Sequence, residues 1–311
     1  MAEFSLVQSQ YHDVYPFISA SSGLANASTS RSVLVVGAGS GIGKAAAVAF
    51  AQTGATNVII AGRRVANLQV VKDLVNSSFP KTNVLAVPCD AADTASVDKL
   101  FAEIAAADIT LDVLVNSQGT VRSKASLRNS DPEEWWADWQ VMVKSPYLTT
   151  RAFLRSLAIP EERPATPTRA IVNLSSIGSN LILPEATSYG APKTALNRLT
   201  EYAAAEATRL GVQVIAYHPG GVADTDITSL SADFMKAFYV DTPELAALTA
   251  VYLSTPKASY LSGRYVDATW NLEELEQFKE KILKEDLLKT AVLGESRRKM
   301  PQQIQDMVEQ L

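Results

Sequence analysis

The chain has 311 residues, of which 47% are hydrophobic and 20% charged, a globular composition that excludes a disordered or fibrous chain. Its net charge of −5 argues against a nucleic-acid binder, because binding phosphate needs a basic surface. With a single cysteine (Cys89) and two histidines (His12 and His218), an intrachain disulfide is excluded, the ligands are too few for a zinc site of ordinary composition, and no metal is expected.

The opening residues, MAEFSLVQSQ, lack the basic start and apolar run of a signal peptide. The uncharged window 45–62 is interrupted by Gln52, Thr53, Gly54, Thr56 and Asn57, so no membrane partner is expected and the default is a soluble cytoplasmic protein. Residues 1–30 are polar and rich in Ser and Ala, and read as a loosely ordered arm. The aromatics Tyr11, Tyr15 and Phe17 offer the alternative of docking on the body or on a second subunit.

From Arg31 strands and helices alternate. The strands are 32–36 (SVLVV), 57–61 (NVIIA), 83–88 (NVLAVP), 111–115 (LDVLV), 170–174 (AIVNL) and 212–217 (VQVIAY), and 260–266 can add a seventh. Helices are expected at 42–53, 65–75, 93–108, 132–157, 189–210 and 243–253, the fifth stopped by Gly211. Short apolar strands separated by helices mean a parallel sheet covered on both faces. The fold class is therefore α/β, a doubly wound Rossmann-type sheet forming one domain over 31–270. Residues 271–311 form a C-terminal helical extension, with Leu272, Leu275, Phe278, Ile282 and Leu287 near helical spacing. The extension reads as a helix packed on the body, with a lid or a subunit contact as the alternative.

Between the first strand and first helix stands Gly37-Ala38-Gly39-Ser40-Gly41-Ile42-Gly43. Glycines allow a tight turn and close approach to a ligand, and the following helix N-terminus offers N–H groups to a diphosphate. Gly37, Ser40, Gly41, Ile42 and Gly43 are thus candidate cofactor residues. An ATP-hydrolysing phosphate loop does not fit, because Lys44 is followed by Ala45. The second strand ends in Arg63-Arg64 with no acid to bind ribose hydroxyls. Two guanidiniums suit a 2′-phosphate, so NADP is the expected cofactor.

Tyr189 and Lys193 stand four residues apart on one helix face, and Ser176 lies 13 residues before the tyrosine, just past the fifth strand. A phenol has an ordinary pKa of about 10, and a nearby cation is expected to draw it down. The serine hydroxyl can bind a substrate oxygen.

Together these motifs resemble those of the short-chain dehydrogenase/reductase family over about 31–270. GAGSGIG resembles the family's cofactor turn, with Val36 where Thr is common. Cys89-Asp90 resembles the strand-end Asp that contacts adenine, and Asn116-Ser-Gln-Gly119 the motif after the fourth strand. Ser176, Tyr189 and Lys193 match the catalytic serine, tyrosine and lysine, and Pro219-Gly220 the motif bordering the nicotinamide. The resemblance implies that Asp90, Asn116, Gly119, Tyr189, Lys193, Pro219, Val222 and Thr225 contact the cofactor. It also implies a small-molecule substrate, and dimers or tetramers formed through the helices 132–157 and 189–210. YHDVYPFI near the N-terminus and WNLEELEQFKEKI near the C-terminus resemble a longer subgroup of fungal biosynthetic pathways.

Two positions depart from the family. Met142 stands where the family carries a catalytic Asn, and Asp224 stands where Thr is expected, unless Thr225 serves after a one-residue insertion. The expected activity is NADP-dependent interconversion of a carbonyl and a secondary alcohol. Phe234, Met235, Phe238 and Tyr239, in the segment 222–241, point to a bulky apolar, secondary-metabolite-like substrate. The alternatives are a cyclase, isomerase or dehydratase that retains its cofactor, which Met142 motivates, and a non-catalytic NADP-binding module.

Overall fold

The computed structural model describes residues 6–162, 164–223, 225, 228 and 233–291. Among these, seven parallel strands form one sheet in the order β3-β2-β1-β4-β5-β6-β7. They are β1 (Ser32–Val36), β2 (Asn57–Gly62), β3 (Asn83–Pro88), β4 (Val113–Asn116), β5 (Arg169–Leu174), β6 (Val212–His218) and β7 (Tyr265–Asp267). The strand order reverses between β1 and β4, which opens a crevice at the carboxyl ends of these two strands, where such sheets bind ligands.

Burial along the strands explains their composition. All five residues of β1 are buried; Val33 and Val35 face one core while Leu34 and Val36 face the other. A strand wetted on neither side needs apolar residues at every position rather than at alternate ones. On the first face lie α1 (Gly41–Gln52), α2 (Val65–Ser78) and α7 (Pro243–Leu253); on the second lie α3 (Thr94–Ala106), α5 (Ser145–Arg155) and α6 (Thr187–Ala207). The small side chains Ala46, Ala47 and Ala49 on α1 and Ala246, Ala247 and Ala250 on α7 are buried in the same core and let these two helices pack against each other.

In three places the structure departs from expectation. First, the described part of the arm is docked, not loose: Leu6, Val7, Tyr15, Ile18 and Leu24 are buried in the first core. Tyr15 is fixed by its hydroxyl, which accepts from Leu272 N–H at 2.8 Å and lies 3.3 Å from Trp270 O, and by stacking on Tyr11 at 3.9 Å.

Second, the helix expected over 132–157 is three pieces: α4 (Pro132–Trp139), a π-helical stretch Gln140–Lys144, and α5. Pro146 is the cause. It has no N–H for the carbonyl of Met142, and its ring would clash there. The ladder therefore widens, and Ser145 N–H bonds to Gln140 O five residues back. Third, the expected C-terminal helix breaks at 277–278 into α8 (Leu272–Glu276) and α9 (Lys279–Lys284), both packed on the body through Leu272, Leu275 and Ile282.

Candidate active site

The glycine-rich turn connects β1 to α1 at the crevice. Gly43 sits where a Cβ would collide with Gly37 O, so the helix can begin this close to the turn only with hydrogen at that position. Ser40 precedes the helix, but its side chain makes no cap bond to it. Its Oγ instead accepts from Arg64 Nη2 at 2.9 Å. The first N–H groups of α1 therefore have no side-chain cap, and they face a groove that runs past Arg63, Arg64 and Asp90 on one side and Ser117, Gln118 and Gly119 on the other. An uncapped N-terminus of a twelve-residue helix beside a glycine-rich turn fits the diphosphate of a dinucleotide.

Most of the expected cofactor residues line this groove: Gly37, Ser40, Gly41, Ile42, Gly43, Arg63, Arg64, Asp90, Gly119 and Thr225. Thr225 is placed opposite the turn, its Cγ2 3.5 Å from where a Cβ on Gly41 would lie. Asp224 lies outside the described residues, as do the side chains of Phe234 and Met235. Asn116 is elsewhere. It is buried beneath the groove, where its amide nitrogen donates to Asn173 Oδ1 at 2.8 Å and its oxygen accepts from Thr149 Oγ1 at 2.7 Å. Val222 lines a neighbouring hollow between α1 and α7, and Pro219 follows directly on β6 at the sheet's carboxyl edge.

Ser176, Tyr189 and Lys193 come together. Ser176 follows β5, and its Oγ accepts from Gly178 N–H at 3.1 Å and is hydrogen-bonded to the Tyr189 hydroxyl. Lys193, one turn along α6 from Tyr189, lies with Nζ 5.9 Å from the centre of the phenol ring. Its ammonium donates to Leu174 O at 2.5 Å, and Leu174 itself lines the groove. Lys193 is almost wholly buried, and burial draws its pKa down from 10.5 to about 8.

Burial also pushes the Tyr189 phenol up, against a downward pull from the Ser176 hydrogen bond. The expectation that a nearby ammonium lowers this phenol is thus not what governs it here. Desolvation of the hydroxyl is the largest influence, and it favours the protonated phenol. Ser188, just before the tyrosine, donates from Oγ to Ser123 O at 2.8 Å and so ties α6 to the loop after β4.

Met142 is fully buried in the π-helical stretch and offers no amide. Asp138, four residues earlier, escaped the sequence reading. It is fully buried, and its carboxylate accepts from the N–H groups of Arg122 at 3.1 and 3.0 Å and of Ser123 at 3.3 Å, which holds the loop after β4 in place. The available signal was an acid on the inward face of an aromatic helix, among Trp135, Trp136 and Trp139. The loops leaving β4, β5 and β6 expose Leu127, Ile177, Leu181, Leu183, Phe238 and Ile182, the last with 97% of its surface in solvent.

Residues 31–235 match the family described as short chain dehydrogenase. A short chain dehydrogenase of Monascus purpureus is 39% identical over 295 residues, spanning 94% of this chain and 98% of that protein. Another, from Monascus ruber, is 31% identical over 296 residues, spanning 92% and 93%. Among solved structures, a putative gluconate dehydrogenase from Agrobacterium tumefaciens superposes with a TM-score of 0.70 at 23% identity, over 78% of this chain and 95% of that one. A short chain dehydrogenase from Shigella flexneri complexed with NADP gives 0.68 at 23% identity, over 78% and 98%. These two likenesses bear on the fold.

Proposed function

The chain belongs to the short-chain dehydrogenase family, and from that premise we propose that it is an NADP-dependent oxidoreductase interconverting a carbonyl and a secondary alcohol on a bulky apolar substrate. The observation that carries this reading is the meeting of Ser176, Tyr189 and Lys193 beside a groove headed by an uncapped helix N-terminus. When bound, the nicotinamide supplies or accepts the hydride. In the reductive direction Tyr189 donates its proton to the carbonyl oxygen, and Ser176 holds that oxygen by a hydrogen bond. The Lys193 ammonium stands beside the phenolate that forms and steadies its charge. Activity therefore needs the protonated lysine and falls as pH rises through about 8.

The choice of NADP rests on Arg63 and Arg64 at the groove's rim after β2. Arg64 already reaches the cofactor turn through Ser40, and a planar guanidinium suits a 2′-phosphate. The exposed apolar side chains on the three loops support the substrate class, since such patches mark binding surfaces. The Monascus relatives support placing the chain in the fungal subgroup that its terminal motifs resemble.

A second reading keeps the fold and cofactor but not the net redox change: a cyclase, isomerase or dehydratase. The observation favouring it is Met142, buried where an amide would otherwise support proton relay to the lysine. Stereospecifically deuterated NADPH, offered with a panel of aromatic and alicyclic ketones, decides between them. The oxidoreductase passes label to the alcohol, and Tyr189→Phe lowers turnover by about 10²–10⁴-fold. Product formed without loss of NADPH refutes it. Arg64→Ala should weaken NADPH by about tenfold while leaving NADH binding unchanged, and an equal effect on both refutes the 2′-phosphate assignment.

A further inference from the structure

On the far side of the turn that follows β6, Asp241 fills the hollow of the backbone. Gly220 has φ +89, and a Cβ there would lie 2.6 Å from Asp241 Oδ2. Gly221 N–H donates to the same oxygen at 2.5 Å, Asp241 N–H returns to Gly221 O at 3.0 Å, and Val222 pairs with Asp241 as a parallel bridge. With side chain and backbone together, Asp241 ties the neck of the segment that leaves β6 and returns at α7.

The Asp241 side chain is only 5% exposed, and its other oxygen meets His12 Nδ1 at 2.6 Å. His12 comes from the N-terminal arm, 229 residues away, and its side chain is 58% exposed. Arm and neck also meet through Thr242 N–H, which donates to His12 O at 3.0 Å, and through Thr242 Oγ1, which donates to Asp13 Oδ1 at 2.9 Å. The arm is independently anchored at its flanks: Tyr11 N–H donates to Thr269 O at 2.7 Å, Asn271 N–H to Ser9 O at 3.0 Å, and Leu272 N–H to the Tyr15 hydroxyl. The His12 side chain is therefore not what holds the arm down. Its imidazole completes the hydrogen bonding of a nearly buried carboxylate whose other partner is the Gly221 N–H.

We propose that His12 is a positioning residue: by holding Asp241 it fixes the Gly220–Gly221–Val222 turn at the sheet's carboxyl edge, beside the groove and sharing Gly41 with it through the hollow that Val222 lines, so that the arm shapes a site to which it contributes no lining residue among the described residues. The inference rests on reading the groove as the NADP(H) site.

The test uses the full chain as wild type, His12→Ala, His12→Asn and Asp13→Ala. It measures amide hydrogen exchange over 219–223, NADPH affinity by calorimetry, and melting temperature. His12→Ala should speed exchange at Gly221 and weaken NADPH about five- to tenfold, with melting within about 2 °C of wild type. His12→Asn, whose amide nitrogen stands near the place of Nδ1, should restore both to within about twofold. Asp13→Ala should match wild type.

Unchanged exchange and affinity in His12→Ala overturns the proposal. So does the same loss in Asp13→Ala, or a loss that Asn fails to rescue, because either assigns the effect to arm docking in general. Wild-type protein that binds no NADPH overturns the reading of the groove instead. The exchange at Gly221 then still decides, by itself, whether His12 sets the turn.

Discussion

Lys193 offers a test in which stability and activity move in opposite directions. Its ammonium is buried on α6 with a single hydrogen bond, to Leu174 O, and no acid against it among the described residues. Below about pH 8 the group is protonated in both the folded and the unfolded chain, and the full cost of burying it stands. Between about 8 and 10.5 the unfolded chain holds the proton more tightly, so stability rises with pH. Above 10.5 both forms are neutral and the cost is gone. A displacement of this size corresponds to about 3 kcal/mol at ~1.4 kcal/mol per tenfold. Lys193→Met removes that cost and leaves the Leu174 carbonyl without its donor, a loss of about 1 kcal/mol.

The variant should therefore be more stable than wild type by about 2 kcal/mol at pH 6.5, a rise in melting temperature of about 4 °C, while losing turnover. The advantage should shrink as pH rises from about 8, pass through zero before pH 10.5, and reverse to about 1 kcal/mol in favour of wild type above it. Urea titrations and scanning calorimetry of both proteins across that range measure it. A variant no more stable than wild type at pH 6.5, or an advantage that does not change with pH, refutes the electrostatic account of this site.

Gly43→Ala forces a Cβ against Gly37 O, and should cost about 1–3 kcal/mol and abolish NADPH binding, read by urea titration and calorimetry. Asp138→Ala strips the acceptor from the N–H groups of Arg122 and Ser123 in a fully buried setting. It should lower stability by about 2–4 kcal/mol and speed amide exchange over 119–124. Tyr15→Phe removes the acceptor for Leu272 N–H and should cost about 1 kcal/mol, with faster exchange confined to the arm and to α8.

What could be read from the chain divides along physical lines. The strands are short runs that are mostly apolar on both faces, and the turn, the tyrosine–lysine spacing and the helix stops are local patterns, so fold class and candidate site followed from them. The arm did not follow, because Leu6, Val7, Tyr15, Ile18 and Leu24 have no period. Their burial depends on partners such as Trp270 and Leu272, near the far end of the chain. Asp138 was hidden for a similar reason: its donors are backbone N–H groups of a loop, which no side-chain pattern announces. The π-helical stretch had a visible cause in Pro146, but the choice between a kink, a break and a widened ladder is made by packing.

Beneath the groove, four polar side chains bond head to tail. Thr149 of α5 donates to Asn116 of β4, which donates to Asn173 of β5, which donates to Thr200 of α6, whose hydroxyl donates to Leu196 O. All the donors run one way, so reversing either amide would set like atoms of Asn116 and Asn173 against each other and break the bond between them. The lateral seat of the tyrosine-bearing helix is thereby set from within the layers rather than from its outer surface. Tyr202, on the outward side of that helix and exposed, takes no part in these bonds, so its substitution leaves the seat of the tyrosine intact.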